Sequence, residues 1–117
     1  MAYVAKHRFA RTSAKRIRPI ARMIQGMVVA RALDALEYSP TRGARLIKKV
    51  LRSAVANAGA TADPDDMVVQ SVRIDDGPLQ LGTKRWIPVS RGMAHPIRHR
   101  TCHIFVEIEE IRSQEEQ

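Results

Sequence analysis

The sequence predicts an α+β fold: three helices packed on a small three-stranded antiparallel sheet, with a long protruding β-hairpin. Three observations lead there. Apolar residues recur at helical spacing in three segments between residues 11 and 60, and they alternate with polar ones, imperfectly at 67–78 and more cleanly at 101–111, with the opening 3–10 able to supply a third strand. Residues 77 to 100 fit neither pattern and have no evident core to enter. At 117 residues the chain has the size of one domain, expected to span 1–117, and can bury about two-thirds of its unfolded surface. Apolar residues make up 44% of it and aromatics 4%, so Ala, Val, Ile, Leu and Met must build the core, which suits closely packed helices over a small sheet.

The opening YVAKHRFA supplies a strand. RTSAKRIRPIARMIQG follows as the first helix, with Thr12 or Ser13 as cap, Ile17, Ile20, Ala21 and Ile24 on one face, and Gly26 as the stop. Lys15, Arg16, Arg18 and Arg22 occupy the other face. Pro19 lies inside this segment, where it lacks an amide and crowds the carbonyl of Lys15, so a kink or a late start is expected. VVARALDALEYS gives a short second helix, with Ala32, Leu33 and Leu36 inward, ending before Pro40. TRGARLIKKVLRSAVANAGA is the strongest helix, its stripe running through Ala44, Ile47, Leu51, Ala54, Val55 and Ala58. Arg42, Arg45, Lys48, Lys49 and Arg52 lie off that stripe, and Gly59 ends the helix. An acidic loop, ADPDD, leads into MVVQSVRIDDGP, where Val68, Val72 and Ile74 alternate imperfectly, as in a strand covered on one side. TCHIFVEIEEI is a cleaner strand, with Ile104, Val106 and Ile108 on one face and His103, Phe105, Glu107 and Glu109 on the other. A short acidic tail is expected at about 112–117.

An extended hairpin is expected over about 77–103. If it reverses near Arg91-Gly92, each arm has about 14 residues and reaches ~46 Å. A compact chain of this length has a radius of gyration of only ~13 Å, so the arms project outside the body. A bare two-stranded ribbon is marginal in water, and this one carries five cations over residues 77–103 without an acid. Its support is expected to be anionic.

Charge is segregated along the whole chain. Of the net +8, residues 1–52 contribute +11, residues 53–76 contribute −4, residues 77–103 contribute +5 and residues 104–117 contribute −4. Such segregation destabilises an isolated fold by self-repulsion and fits a polyanionic partner. One cysteine, Cys102, excludes an intramolecular disulfide and suits a reducing compartment. The absence of an apolar block near 20 residues argues against a membrane partner, and a cytoplasmic location is expected. No constellation of carboxylates, nucleophile or Gly-rich phosphate loop suggests an enzyme. His95, His99, Cys102 and His103 imitate a metal site on paper. On a strand, however, His99 and His103 stand ~13 Å apart and Cys102 and His103 face opposite ways. Neither a metal nor a cofactor is expected.

Nucleic-acid binding accounts for more. Arg85, Arg91, Arg98 and Arg100 can fork onto phosphates, with Lys84 as a point charge. Trp86 either stacks on a base or packs at the hairpin base. Pro88, Gly92 and Pro96 limit ladder pairing and suit an irregular loop lying on RNA.

HRFARTSAKRIRPIARMIQG, ARLIKKVLRSAVANA, the GP after the second strand, and KRWIPVSRGMAHPIRHRTCHI together resemble the bacterial large-subunit ribosomal protein L-twenty-two family, in order, over residues 5 to 110. Lys84, Arg85, Pro88, Gly92, Ile97, Arg100, Thr101, His103 and Ile104 match its pattern. The resemblance implies a structural constituent of the large ribosomal subunit, with a globular body at the subunit surface that supports assembly. Its hairpin would thread between RNA domains to line the nascent-peptide exit tunnel near the macrolide region. Large-subunit rRNA, neighbouring ribosomal proteins and the nascent peptide are the implied partners, without a homo-oligomer. RNA contacts are expected from Lys6, Arg8, Arg11, Lys15, Arg16, Arg18, Lys84, Arg85, Arg91, Arg98, Arg100 and His103, and the tunnel wall from Trp86, Pro88, Val89, Ser90, Arg91, Gly92, Met93 and Ala94. Val89 and Met93 replace arginines usual near the tip, and LQLGT makes the hairpin base about three residues longer. The other reading is a free-standing nucleic-acid-binding regulator, which would need a recognition helix and a dimer seam that the sequence does not display.

Overall fold

The computed structural model describes residues 2–59, 63–79, 85–97 and 100–111, with the backbone alone at 85, 96 and 97. In chain order the elements are β1 (Ala2–Ala10), α1 (Ala14–Ile24), α2 (Val29–Tyr38), α3 (Arg42–Asn57), β2 (Met67–Leu79), β3 (Arg85–Pro88), β4 (Ala94–Ile97) and β5 (Arg100–Glu110). Short 3-10 turns stand at Pro64–Asp66 and Ser90–Gly92. The fold is the predicted α+β arrangement: a sheet ordered β1-β5-β2, antiparallel throughout, and a separate β3-β4 hairpin.

Alternation in β5 sends Cys102, Ile104, Val106 and Ile108 to the helical side, all fully buried. Ile17 and Ile24 of α1, Ala32 and Leu36 of α2, and Ala44, Ile47, Leu51 and Ala54 of α3 meet them there. Val50 of α3 is also buried, and Val55 and Ala58 at the end of the predicted stripe are only partly so. In β2 the inward residues are Met67, Val69 and Ile74 rather than the expected Val68. A bulge explains it: Val69 pairs with Ile108 and Ser71 with Glu107, so Gln70 is an extra residue that switches the alternation, after which Val72 and Ile74 oppose Val106 and Ile104.

Thr41 caps α3 by accepting the Ala44 N–H at 3.3 Å, whereas Ser13, at the cap of α1, makes no such side-chain bond. Helix α1 begins at Ala14 and continues through Pro19 to Ile24, so the late start expected from proline does not occur. An interior proline costs about 3 kcal/mol. The full burial of Ile17 and Ile24, each worth about 1.5–3 kcal/mol, offsets that cost. Gly26, at φ 86°, turns the chain so that its N–H donates to the Val69 carbonyl and the Val69 N–H donates to Met27, both at 2.8 Å. The outer edge of β2 is thereby covered at Val68 and Val69.

The first turn of α3 lies close against α1. A Cβ on Gly43 would stand 3.1 Å from Ile20 Cδ1 and 3.2 Å from Ile17 Cγ1, so glycine sets this helix approach.

The molecule measures 73 × 24 × 23 Å, with a radius of gyration of 17.9 Å against the ~13 Å of a compact chain of this length. The hairpin accounts for the excess. Its reversal is at Arg91-Gly92, as expected: both take left-handed backbone, φ 64° and 70°, and the Val89 N–H donates to the Met93 carbonyl at 2.8 Å. Behind the tip the structure corrects the expectation of an irregular loop, because Trp86 pairs with Pro96, Ile87 with His95 and Pro88 with Ala94 in a regular ribbon. Each strand of a two-stranded ribbon has a free edge, where a proline forfeits no ladder bond. Between the pairs Leu79-Arg100 and Arg85-Ile97 the outgoing arm advances six residues and the returning arm three. The LQLGT segment read as a longer base falls at residues 79–83, of which 80–83 lie outside the described residues, as does the expected tail at 112–117.

At the hairpin base Thr101, almost fully buried, donates its hydroxyl to the Pro78 carbonyl. Gly77 makes room for it, since a Cβ there would lie 2.6 Å from Thr101 Oγ1. The GP and RT elements of the sequence pattern are thus two halves of one cross-strand lock.

Two substitutions test these contacts. Gly43→Val should destabilise the fold by about 1–3 kcal/mol through overpacking against α1, read as a lower urea midpoint. Thr101→Val keeps the shape but leaves the Pro78 carbonyl without its donor, which should cost about 1–3 kcal/mol and speed amide exchange at the base of β2 and β5 more than in α3.

Candidate nucleic-acid interface

The close approach at Gly43 has an electrostatic result. It brings the start of α3 beside the start of α1, and the segment joining β1 to α1 closes the space between them. The outcome is an open groove of about 880 Å³ lined by Arg11, Thr12, Ser13, Lys15, Arg16, Pro19, Thr41, Arg42, Gly43 and Arg100. Five of these ten are cations and none is a carboxylate. Two helix N-termini open onto the groove, and neither α1 nor α3 has an acidic residue in its first turn. Unpaired amides and the positive ends of both helix dipoles therefore add to the field of the side chains. Cations in a first turn oppose the dipole, so this arrangement is poorly satisfied without an anion. A second depression, formed by Pro40, Arg42, Arg45, Leu46 and Lys49, shares Arg42 with the groove and extends the basic surface along α3.

The predicted contact residues divide into several groups. Arg11, Lys15, Arg16 and Arg100 meet in the groove. Lys6 and Arg8 stand on β1, exposed, with Lys6 paired to Phe105 on the face of the sheet that the helices leave open. Arg91 is exposed at the hairpin tip. Arg18 is engaged by the fold: its guanidinium donates to the Ile74 carbonyl at 3.3 Å and lies 3.9 Å from Asp76, tying α1 to β2. His103 is also partly engaged, its Nδ1 accepting the Phe9 N–H at 3.0 Å, which requires the proton of the neutral ring to sit on Nε2. Lys84 and Arg98 lie outside the described residues, as does the side chain of Arg85. Arg42 was not among the expected contacts. Its signal was present, a cation directly after the capping Thr41, but only the packing of Gly43 on α1 joins it to the others.

At the tip, Trp86 is 60% exposed and Met93 67% exposed, and Ile87 is exposed with them. These side chains contribute nothing to the core of the body. Of the residues that imitate a metal site, Cys102 is buried on the helical side while the adjacent His103 contacts Phe9 on the open side, so the two cannot share a ligand sphere. Burial pushes the Cys102 thiol up, with the Asp76 carboxylate adding to it and Arg18 opposing. A raised thiol is neither a ready nucleophile nor a ready metal ligand.

Comparison with known proteins agrees with this architecture. The chain is 46% identical over 104 residues, covering 87% of its own length and 90% of the relative's, to the large ribosomal subunit protein uL22 of Akkermansia muciniphila. A family model described as "Ribosomal protein L22p/L17e" matches residues 5–109, nearly the whole α+β body together with the hairpin. By the extent of both matches, this chain belongs to the ribosomal protein L22p/L17e family.

Proposed function

We propose that this chain is a structural, non-enzymatic constituent of the large subunit of bacterial ribosomes, in the cytoplasm, that binds rRNA through the α1–α3 groove and through its hairpin. The observation that carries the RNA contact is the groove itself: five cations and two helix N-termini converge there with no carboxylate among the lining residues. Phosphates satisfy all of these groups at once, because arginines offer paired donors and the first-turn amides offer more. Contacts of these groups with phosphates would position the protein on the RNA backbone without carrying sequence information.

The hairpin extends the same reading. It leaves the body as a ribbon with no buried side chain among its described residues 86–95 and ends in an exposed Trp86, Ile87 and Met93 with Arg91 at the reversal. A ribbon of this kind needs external support, and rRNA flanking its cationic arms provides it. The tip then faces the nascent-peptide tunnel, with Val89 and Met93 offering apolar contact where arginines are usual in the family.

Two measurements test the proposal. In titrations against large-subunit rRNA fragments, Arg16→Gln and Arg42→Gln should each lower the slope of log affinity against log salt by about 0.7–0.9 and weaken binding alike across RNA sequences; an unchanged slope for both removes the groove from the interface. Deleting Trp86–Ala94 should leave the thermal midpoint of the body within a few degrees, since the core stripes lie elsewhere, while altering the macrolide sensitivity of ribosomes that carry the shortened chain. Ribosomes that incorporate it with unaltered sensitivity would remove the tip from the tunnel wall.

A further inference from the structure

The chain has two phenylalanines, and the core uses neither. Both belong to the face of the sheet that the helices do not cover. Phe105 lies at the centre of a cross-strand row, opposite Lys6 on β1 and Arg73 on β2. The Arg73 guanidinium stands 4.4 Å from its ring centroid and the Lys6 ammonium 5.8 Å. Asp75 takes the Arg73 Nε at 3.2 Å, which tethers the guanidinium, yet the Arg73 side chain remains 67% exposed.

Phe9 is the stronger signal. It sits in the bulge between His7 and Ala10 with φ 60°, a left-handed conformation that a bulky aromatic rarely adopts. The bulge leaves its ring 53% exposed. His103 holds the conformation, accepting the Phe9 N–H and meeting the ring edge-on at 5.0 Å between centroids, and Arg8 lies 5.4 Å from the same ring. Strain that turns an aromatic ring toward solvent, beside cations, is unexplained by the packing of the body.

We propose that this open sheet face is a stacking platform for an unpaired RNA nucleotide, built on Phe105 with its Arg73 cover and on Phe9. The proposal rests on the RNA-binding reading of the chain but concerns a different contact from the groove. Aromatic rings and guanidinium planes both stack on bases. A base held in a duplex has no free face, so the occupant is single-stranded. Charge on this face is unevenly placed: Lys6 and Arg8 stand on β1, whereas the carboxylates are Asp75 on β2, paired with Arg73, and Glu107 and Glu109 in the β5 rows beyond Phe105, with Glu107 accepting from Ser71. The nucleotide's phosphate therefore lies on the β1 side, beside Lys6 and Arg8.

The test is an NMR titration of the full chain with a uridine hexamer and, separately, with an RNA duplex. On adding the hexamer the ring resonances of Phe9 and Phe105 should move upfield. With Phe105→Leu the hexamer affinity read at the Phe9 ring should fall about tenfold, the order expected for losing one stacked aromatic, with an unchanged salt slope; Phe105→Tyr should retain binding, and the duplex should leave both rings unmoved. If the hexamer binds while neither ring responds, the platform is refuted and the groove reading stands. Equal weakening by the Leu and Tyr variants, together with a lower melting temperature, would show that Phe105 is only packing and refute it too. Failure of the hexamer to bind would overturn the platform, whereas the groove is tested separately by the rRNA-fragment titrations.

Discussion

Strand β5 is hydrogen-bonded along both edges, to β1 and to β2, and each major feature of the molecule is referred to it. Its inward residues supply the floor on which the three helices pack. Its first residues form the base of the hairpin, where Thr101 binds the Pro78 carbonyl over Gly77. Its outward residues carry Phe105 and His103, which organise the open face. A strand paired on both sides cannot slip by one residue without exchanging its buried and exposed sets. The same register that buries Ile104, Val106 and Ile108 therefore also determines where the hairpin leaves the body.

Two of the sheet's three register shifts, at Gln70 and at Phe9, show how pairing is adjusted locally. Gln70 in β2 switches the alternation so that Met67 and Val69 near one end and Ile74 nearer the hairpin all face the helices. The bulge in β1 does the reverse for Phe9, which it turns outward while Ala10, the next residue, is buried. In both places an added residue separates what the backbone pairing needs from what the side chain needs.

Electrostatics and packing pull against each other in the body. Close helix packing through Gly43 is favourable for burial, but it gathers cations at two helix N-termini whose dipoles repel them. A protein stable on its own terms would place acids in those first turns, and neither helix does. The hairpin shows the same feature in another form, a cationic ribbon with apolar residues at its exposed end. A groove with no carboxylate among its lining residues and a ribbon with no buried side chain among its described residues are the two features on which the proposed RNA-binding role rests.

Much of the fold was legible in the sequence. Helical spacing located three helices and alternation located β2 and β5, since periodicity records directly which face meets the core. The reversal at Arg91-Gly92 and the projection of the hairpin followed from glycine and from arm length. The family resemblance was legible in the KR…RT-x-HI pattern, and it named Lys15, Arg16 and Arg100 without showing that they meet. Four things depended on tertiary structure: the bulges that moved burial from Val68 to Val69, the regular pairing of Pro88 and Pro96, the engagement of Arg18 by the Ile74 carbonyl, and the recruitment of Arg42 to the groove. The bulges, the Arg18 contact and the Arg42 groove depend on contacts between residues far apart in the chain, and the ribbon pairing on cross-strand partners within the hairpin. Local spacing determines which side of an element is apolar, but only packing one element on another decides which cations converge and which are already occupied.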